Sequence, residues 1–108
     1  MNTLAKDVEI KGSIRFAQQL IVEGKLEGEI VSEGALTIGE NGYIKGNIQS
    51  GTVVIFGRVD GDITSKERCE AKSTAVIVGD ITAGSFAIEE GATFQGRSRV
   101  GKVPAVTR

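Results

Sequence analysis

One five-residue phrase (apolar, any residue, Gly, any residue, apolar) recurs six times in this 108-residue chain and leaves few folds open to it. The copies are Ile10-Lys11-Gly12-Ser13-Ile14, Leu26-Glu27-Gly28-Glu29-Ile30, Ile44-Lys45-Gly46-Asn47-Ile48, Val59-Asp60-Gly61-Asp62-Ile63, Ile77-Val78-Gly79-Asp80-Ile81 and Phe94-Gln95-Gly96-Arg97-Ser98. Only the last lacks its closing apolar residue. The central glycines lie 16, 18, 15, 18 and 17 residues apart, a period that means stacked coils of one kind. In an extended phrase, positions 1, 3 and 5 share one side, the strand period of two. A Gly between two inward residues then suits a narrow interior where successive turns of chain approach closely. The five apolar closing residues are all Ile, so stacking in register builds one aliphatic column.

A second register of 33 residues lies over the first. Gly24, Gly28, Ile30 and Ser32 recur as Gly57, Gly61, Ile63 and Ser65. Coils therefore come in two kinds, distinguished by the corner before the phrase. Val22 to Leu26 and Ile55 to Val59 are short corners; Leu4 to Ile10, Ile38 to Ile44, Ala71 to Ile77 and Ile88 to Phe94 are two residues longer. The wide corner Gly39-Glu40-Asn41-Gly42 has residues that tolerate positive φ. A 33-residue period also occurs in ankyrin repeats, but no segment here has helical apolar spacing for ten residues without a Gly, which costs about 1 kcal/mol in a helix interior. The Leu and Asn ladder of leucine-rich repeats is missing too. The expected fold is all-β, a parallel β-helix (β-solenoid) of about six coils of 15 to 18 residues. Residues 1–3 form a short tail, 4–98 the solenoid and 99–108 a flexible C-terminal tail containing the sole proline, Pro104.

Composition narrows the function. With 13 basic and 14 acidic residues, scattered, and one Tyr, nothing favours nucleic acid. Solenoid acyltransferases and hydratases rely on histidine as base or metal ligand, and the chain has none. Gly24-Lys25-Leu26-Glu27-Gly28 and Gly57-Arg58-Val59-Asp60-Gly61 lack phosphate-loop spacing and precede no helix. No catalytic, cofactor-binding or metal residue is therefore named, and no enzyme activity is expected. The lone Cys69 falls on Leu36 in the 33-residue register, an inward position, and fits a reducing cytosolic compartment. No stretch approaches the ~18 apolar residues of a membrane span, and no leader is expected before Leu4.

Two outward columns carry charge. The residues before the glycines run Lys11, Glu27, Lys45, Asp60, Val78, Gln95, which reads as a salt-bridge column that sets register. Those after the glycines place Asp62 on Asp80, open to a cation or to two solvated carboxylates splayed apart; the second is the expectation.

The ends of such a stack are sheet edges with an apolar cross-section, which monomeric solenoids cover with a polar cap. Here the last coil keeps Phe86, Ile88 and Phe94, and the first offers Leu4, Val8, Ile10, Ile14 and Phe16, with no cap in sight. These eight residues are the expected polymer interface, and the expected partner is the chain itself. A monomeric binding module that presents one flat face to a protein is the competing reading.

The run Val22-Glu23-Gly24-Lys25-Leu26-Glu27-Gly28-Glu29-Ile30, then Leu36-Thr37-Ile38-Gly39, Ile44-Lys45-Gly46-Asn47-Ile48, Val78-Gly79-Asp80-Ile81 and Gly91-Ala92-Thr93-Phe94-Gln95-Gly96, closely resembles the bactofilins over residues 4–98. The resemblance implies a right-handed, roughly triangular β-helix that assembles without nucleotide into non-polar filaments. It implies a bacterial cytoskeletal scaffold in the cytoplasm or at the inner face of the cell membrane, recruiting cell-wall peptidases or chromosome-segregation proteins for morphogenesis. It also implies an end-to-end contact role for Phe94, to which core packing is the alternative. Met1-Asn2-Thr3 is too short to match the apolar membrane tail of many bactofilins, so direct membrane attachment is not expected.

Overall fold

The computed structural model describes residues 2–4 and 7–100; of Asn2, Leu4 and Val100 it describes the backbone only. Twelve strands follow one another, and no helix occurs among the described residues. They are β1 (Asn2–Leu4), β2 (Glu9–Phe16), β3 (Gln19–Val22), β4 (Lys25–Ser32), β5 (Ala35–Ile38), β6 (Tyr43–Ile55), β7 (Arg58–Asp60), β8 (Ile63–Ala71), β9 (Val76–Val78), β10 (Ile81–Ile88), β11 (Thr93–Gln95) and β12 (Ser98–Val100). The strands run two residues beyond the expected 4–98 array at each end, while residues 101–108 of the expected tail lie outside the described residues.

Every pairing is parallel, and each joins a strand to the one a coil later. The pairings sort into three faces. The first carries the opening half of each phrase, ending in β7, β9 and β11. The second carries the closing half, ending in β8, β10 and β12. The third is β1, β3, β5 and the C-terminal parts of β6, β8 and β10. The molecule is a three-sided parallel β-solenoid. Each face has six rungs joined by five pairings, so the chain makes about five turns where the sequence count suggested six coils.

The central glycines align as expected, Gly12 on Gly28 on Gly46. Their role differs from the expected one. They do not point inward on a flat strand; they bend the chain from the first face to the second, with φ between +128° and +149°. In that geometry a Cβ points along the stack. At Gly28, Gly46, Gly61, Gly79 and Gly96 it would lie 1.8–2.0 Å from the carbonyl oxygen of the glycine one rung earlier. Positive φ is also absent where it was expected, at Gly39 and Gly42. That wide corner is a turn closed by the Gly42 N–H on the Gly39 carbonyl (2.9 Å), and Lys72–Ala75 and Glu89–Ala92 close the same way.

Both apolar residues that flank each of Gly28, Gly46, Gly61 and Gly79 are buried, as strand alternation expects. Ile14, Ile30, Ile48, Ile63 and Ile81 form the expected column, closed by Ser98. Leu20, Leu36, Val53, Cys69 and Phe86 form another, which places the cysteine two rungs from Leu36 as the 33-residue shift requires. Core members from Val22 to Ile81 are almost wholly excluded from solvent. The corner between the second and third faces is lined by Ser32, Ser50 and Ser65. Their hydroxyls serve the backbone there: the Ser65 hydroxyl lies 2.9 and 2.7 Å from the Gly51 and Arg68 carbonyls, either of which can accept its single proton. A buried polar corner is thereby satisfied.

Candidate polymer interface

A parallel rung bonds to the rungs before and after it, so a terminal rung leaves one set of N–H and C=O groups unpaired along the axis. The last rung consists of the end of β10, β11 and β12. There Phe86 stands on Cys69, and Phe94 stands on Ile77. Their rings meet edge to face, with centroids 5.6 Å apart at 71°, the arrangement that aromatic quadrupoles favour. Ile88, on Ala71, is 47% exposed and is the one large apolar side chain so exposed among the described residues.

The opposite end is apolar as well. Ile10, Ile14 and Phe16 are half-buried and pack on the core from one side only, and Val8 is half-buried. Phe16 stands on Ser32 and so covers the serine corner at its outer end. Leu4 pairs with Val22 through its backbone; its side chain lies outside the described residues. Ile14 is half-exposed whereas Ile30 beneath it is fully buried, and the same holds for Ile10 over Leu26. The end rungs are thus core columns cut open.

The structure brings Phe86, Ile88 and Phe94 together at one end and Val8, Ile10, Ile14 and Phe16 at the other. Ile10 and Phe94 terminate the same column at opposite ends, so the two groups never meet within one chain. Ala92, packed on the core next to Phe94, was not among the expected residues. Its place two residues before the phrase is filled by Val8 and Ala75 in two other wide corners, a repeat that could have pointed to it.

The charge column forms at one step only. Lys11 and Glu27 approach to 3.8 Å, but Lys45 makes no ion pair among the described residues. Asp60 pairs instead with Arg58 at 3.4 Å, two residues away on the same outer side, and accepts the Tyr43 hydroxyl at 2.7 Å. Tyr43 in turn lies between Lys25 and Arg58, 5.7 and 5.9 Å from its ring centre. That hydrogen bond to Asp60 raises the Tyr43 pKa. On the third face Glu70 is held below the usual carboxylate range by hydrogen bonds from Lys72 and Arg68. The Asp62 and Asp80 carboxylates each accept a backbone N–H of the next rung, from Asp80 at 3.4 Å and Arg97 at 3.3 Å. No group of three His, Cys, Asp or Glu is placed to hold a metal among the described residues.

A family model described as Bactofilin, polymer-forming cytoskeletal, matches residues 2–99. Bactofilin BacO of Myxococcus xanthus is 31% identical over 93 residues, which cover 86% of this chain and 74% of BacO. Bactofilin BacP of the same organism is 33% identical over 94 residues, 87% of this chain and 39% of BacP. A cryo-EM reconstruction of Thermus thermophilus bactofilin double helical filaments superposes with a TM-score of 0.88 at 29% identity, covering 94% of this chain and all of the other.

Proposed function

The chain belongs to the bactofilin family of polymer-forming cytoskeletal proteins, and on that premise we propose that it polymerises through its two solenoid ends into a non-enzymatic scaffold. The observation that carries this is the pair of open apolar cross-sections, Phe86, Ile88 and Phe94 at one end and Ile10, Ile14 and Phe16 at the other. Joining such ends pairs the unpaired rung edges and removes apolar surface from water, the dominant drive in association. No bound nucleotide is needed for either gain, so assembly proceeds without one. The joints are homotypic, and the filaments are therefore non-polar. Two filaments wind together, as in the Thermus relative. The coil is right-handed, and the scaffold works in the bacterial cytoplasm, where it recruits morphogenesis, cell-wall or segregation proteins.

Negative-stain electron microscopy of the purified chain without nucleotide tests this. Filaments built from subunits of about 30 Å, six rungs at ~4.8 Å each, are the expected outcome. A chain that stays monomeric at high micromolar concentration by light scattering would sink the proposal and leave the single-face binding module.

A further inference from the structure

The third face differs from the other two on its outer side. Across its first four rungs the outward positions, from Thr3 through Gln19 and Ile21, Ala35 and Thr37, to Thr52 and Val54, carry no charge. Ile21, Thr37 and Val54 stand directly above one another in a half-buried, β-branched ladder. The first face, by contrast, bears charge on each of its first four rungs, from Glu9 and Lys11 to Arg58 and Asp60. The second face is charged at both ends, with Arg15 and Glu29 at one and Arg97 and Arg99 at the other. On the third face the neutral run stops at the fifth rung, where Arg68, Glu70 and Lys72 form ion pairs.

Charged faces resist close packing because their groups must shed water and find partners. A neutral ladder has no such cost. Its rungs repeat at the same ~4.8 Å step in every copy, so it is complementary to itself when two copies lie side by side. The patch is small, and one copy of the contact would hold nothing. A filament repeats it at every subunit, and linked weak contacts multiply into a stable one.

We infer that the neutral outer surface of the third face, centred on Ile21, Thr37 and Val54, is the side-by-side contact between two filaments, its occupant a second copy of this chain. This rests on the paired-filament reading above. The test is electron microscopy of wild type, Val54→Lys and Thr37→Arg, with Gln49→Lys on the second face as control. Wild type and the control should give paired filaments, and both third-face variants single filaments with unchanged β-type circular dichroism. Thr37→Arg guards against a Val54→Lys chain that fails to fold. Pairs that persist in both variants overturn the assignment. Wild-type filaments that are already single overturn it together with the paired reading, while a wild type without filaments defeats end-to-end assembly itself. Loss of vesicle binding in the variants with pairing intact assigns the face to a membrane and also overturns it.

Discussion

Cys69 condenses the logic of a single inward position. It occupies a column of Leu20, Leu36, Val53 and Phe86 and is fully buried. Burial, aided by the nearby Glu70 charge, pushes its thiol up to about 12 from 9.0. The folded chain thus keeps its proton where the unfolded chain loses it. Above pH 9 the unfolded state binds fewer protons, so stability falls as pH rises toward about 12, by up to about 1.4 kcal/mol per pH unit. We expect urea midpoints of wild type to drop more between pH 8 and pH 10 than those of Cys69→Ala; equal drops would refute this. This residue was legible from the 33-residue repeat. The partner of Asp60 was not, because the choice between Lys45 on the adjacent rung and Arg58 on its own strand depends on side-chain reach at a twisted outer surface.

Among the elements, the six-membered glycine column sets how tightly coils stack. Gly46→Ala would force a Cβ to 1.8 Å from the Gly28 oxygen at φ +141°. Strain at that φ and overpacking against rigid backbone together cost about 2–6 kcal/mol. Gly12, on the first rung, has no atom within 4 Å of such a Cβ. Gly12→Ala carries only the backbone strain, about 1–3 kcal/mol. Denaturation of both variants at one protein concentration should rank Gly46→Ala well below Gly12→Ala, and equal losses would show that φ alone matters.

At the level of the whole molecule, the proposed assembly rests on the open ends. Phe94 is packed on Ile77 and Phe86 from within and lies on the last rung, the end we propose as the joint. Phe94→Arg would bury an unpaired charge between subunits, so filaments should vanish while circular dichroism stays β-type. If the variant unfolds instead, Phe94 is chiefly core. That these eight positions fall at the ends of the stack was legible in the pattern, since the missing apolar residue at Ser98 and the apolar first coil mark where it stops repeating. The edge-to-face packing of Phe86 on Phe94 emerges only from the folded chain.

Strand periodicity, the glycine spacings and the 33-residue shift are local properties of the chain, and they were enough to place the six phrases, the corners before them and Cys69. Two things needed the assembled molecule. One is the corner at the central glycines: from Gly28 onward the missing Cβ faces the carbonyl of the glycine one coil before, 15–18 residues away in sequence and 1.8–2.0 Å away in space. The other is the outer surface, where ion pairs and the neutral third face arise from which side chains the three-sided winding sets next to one another.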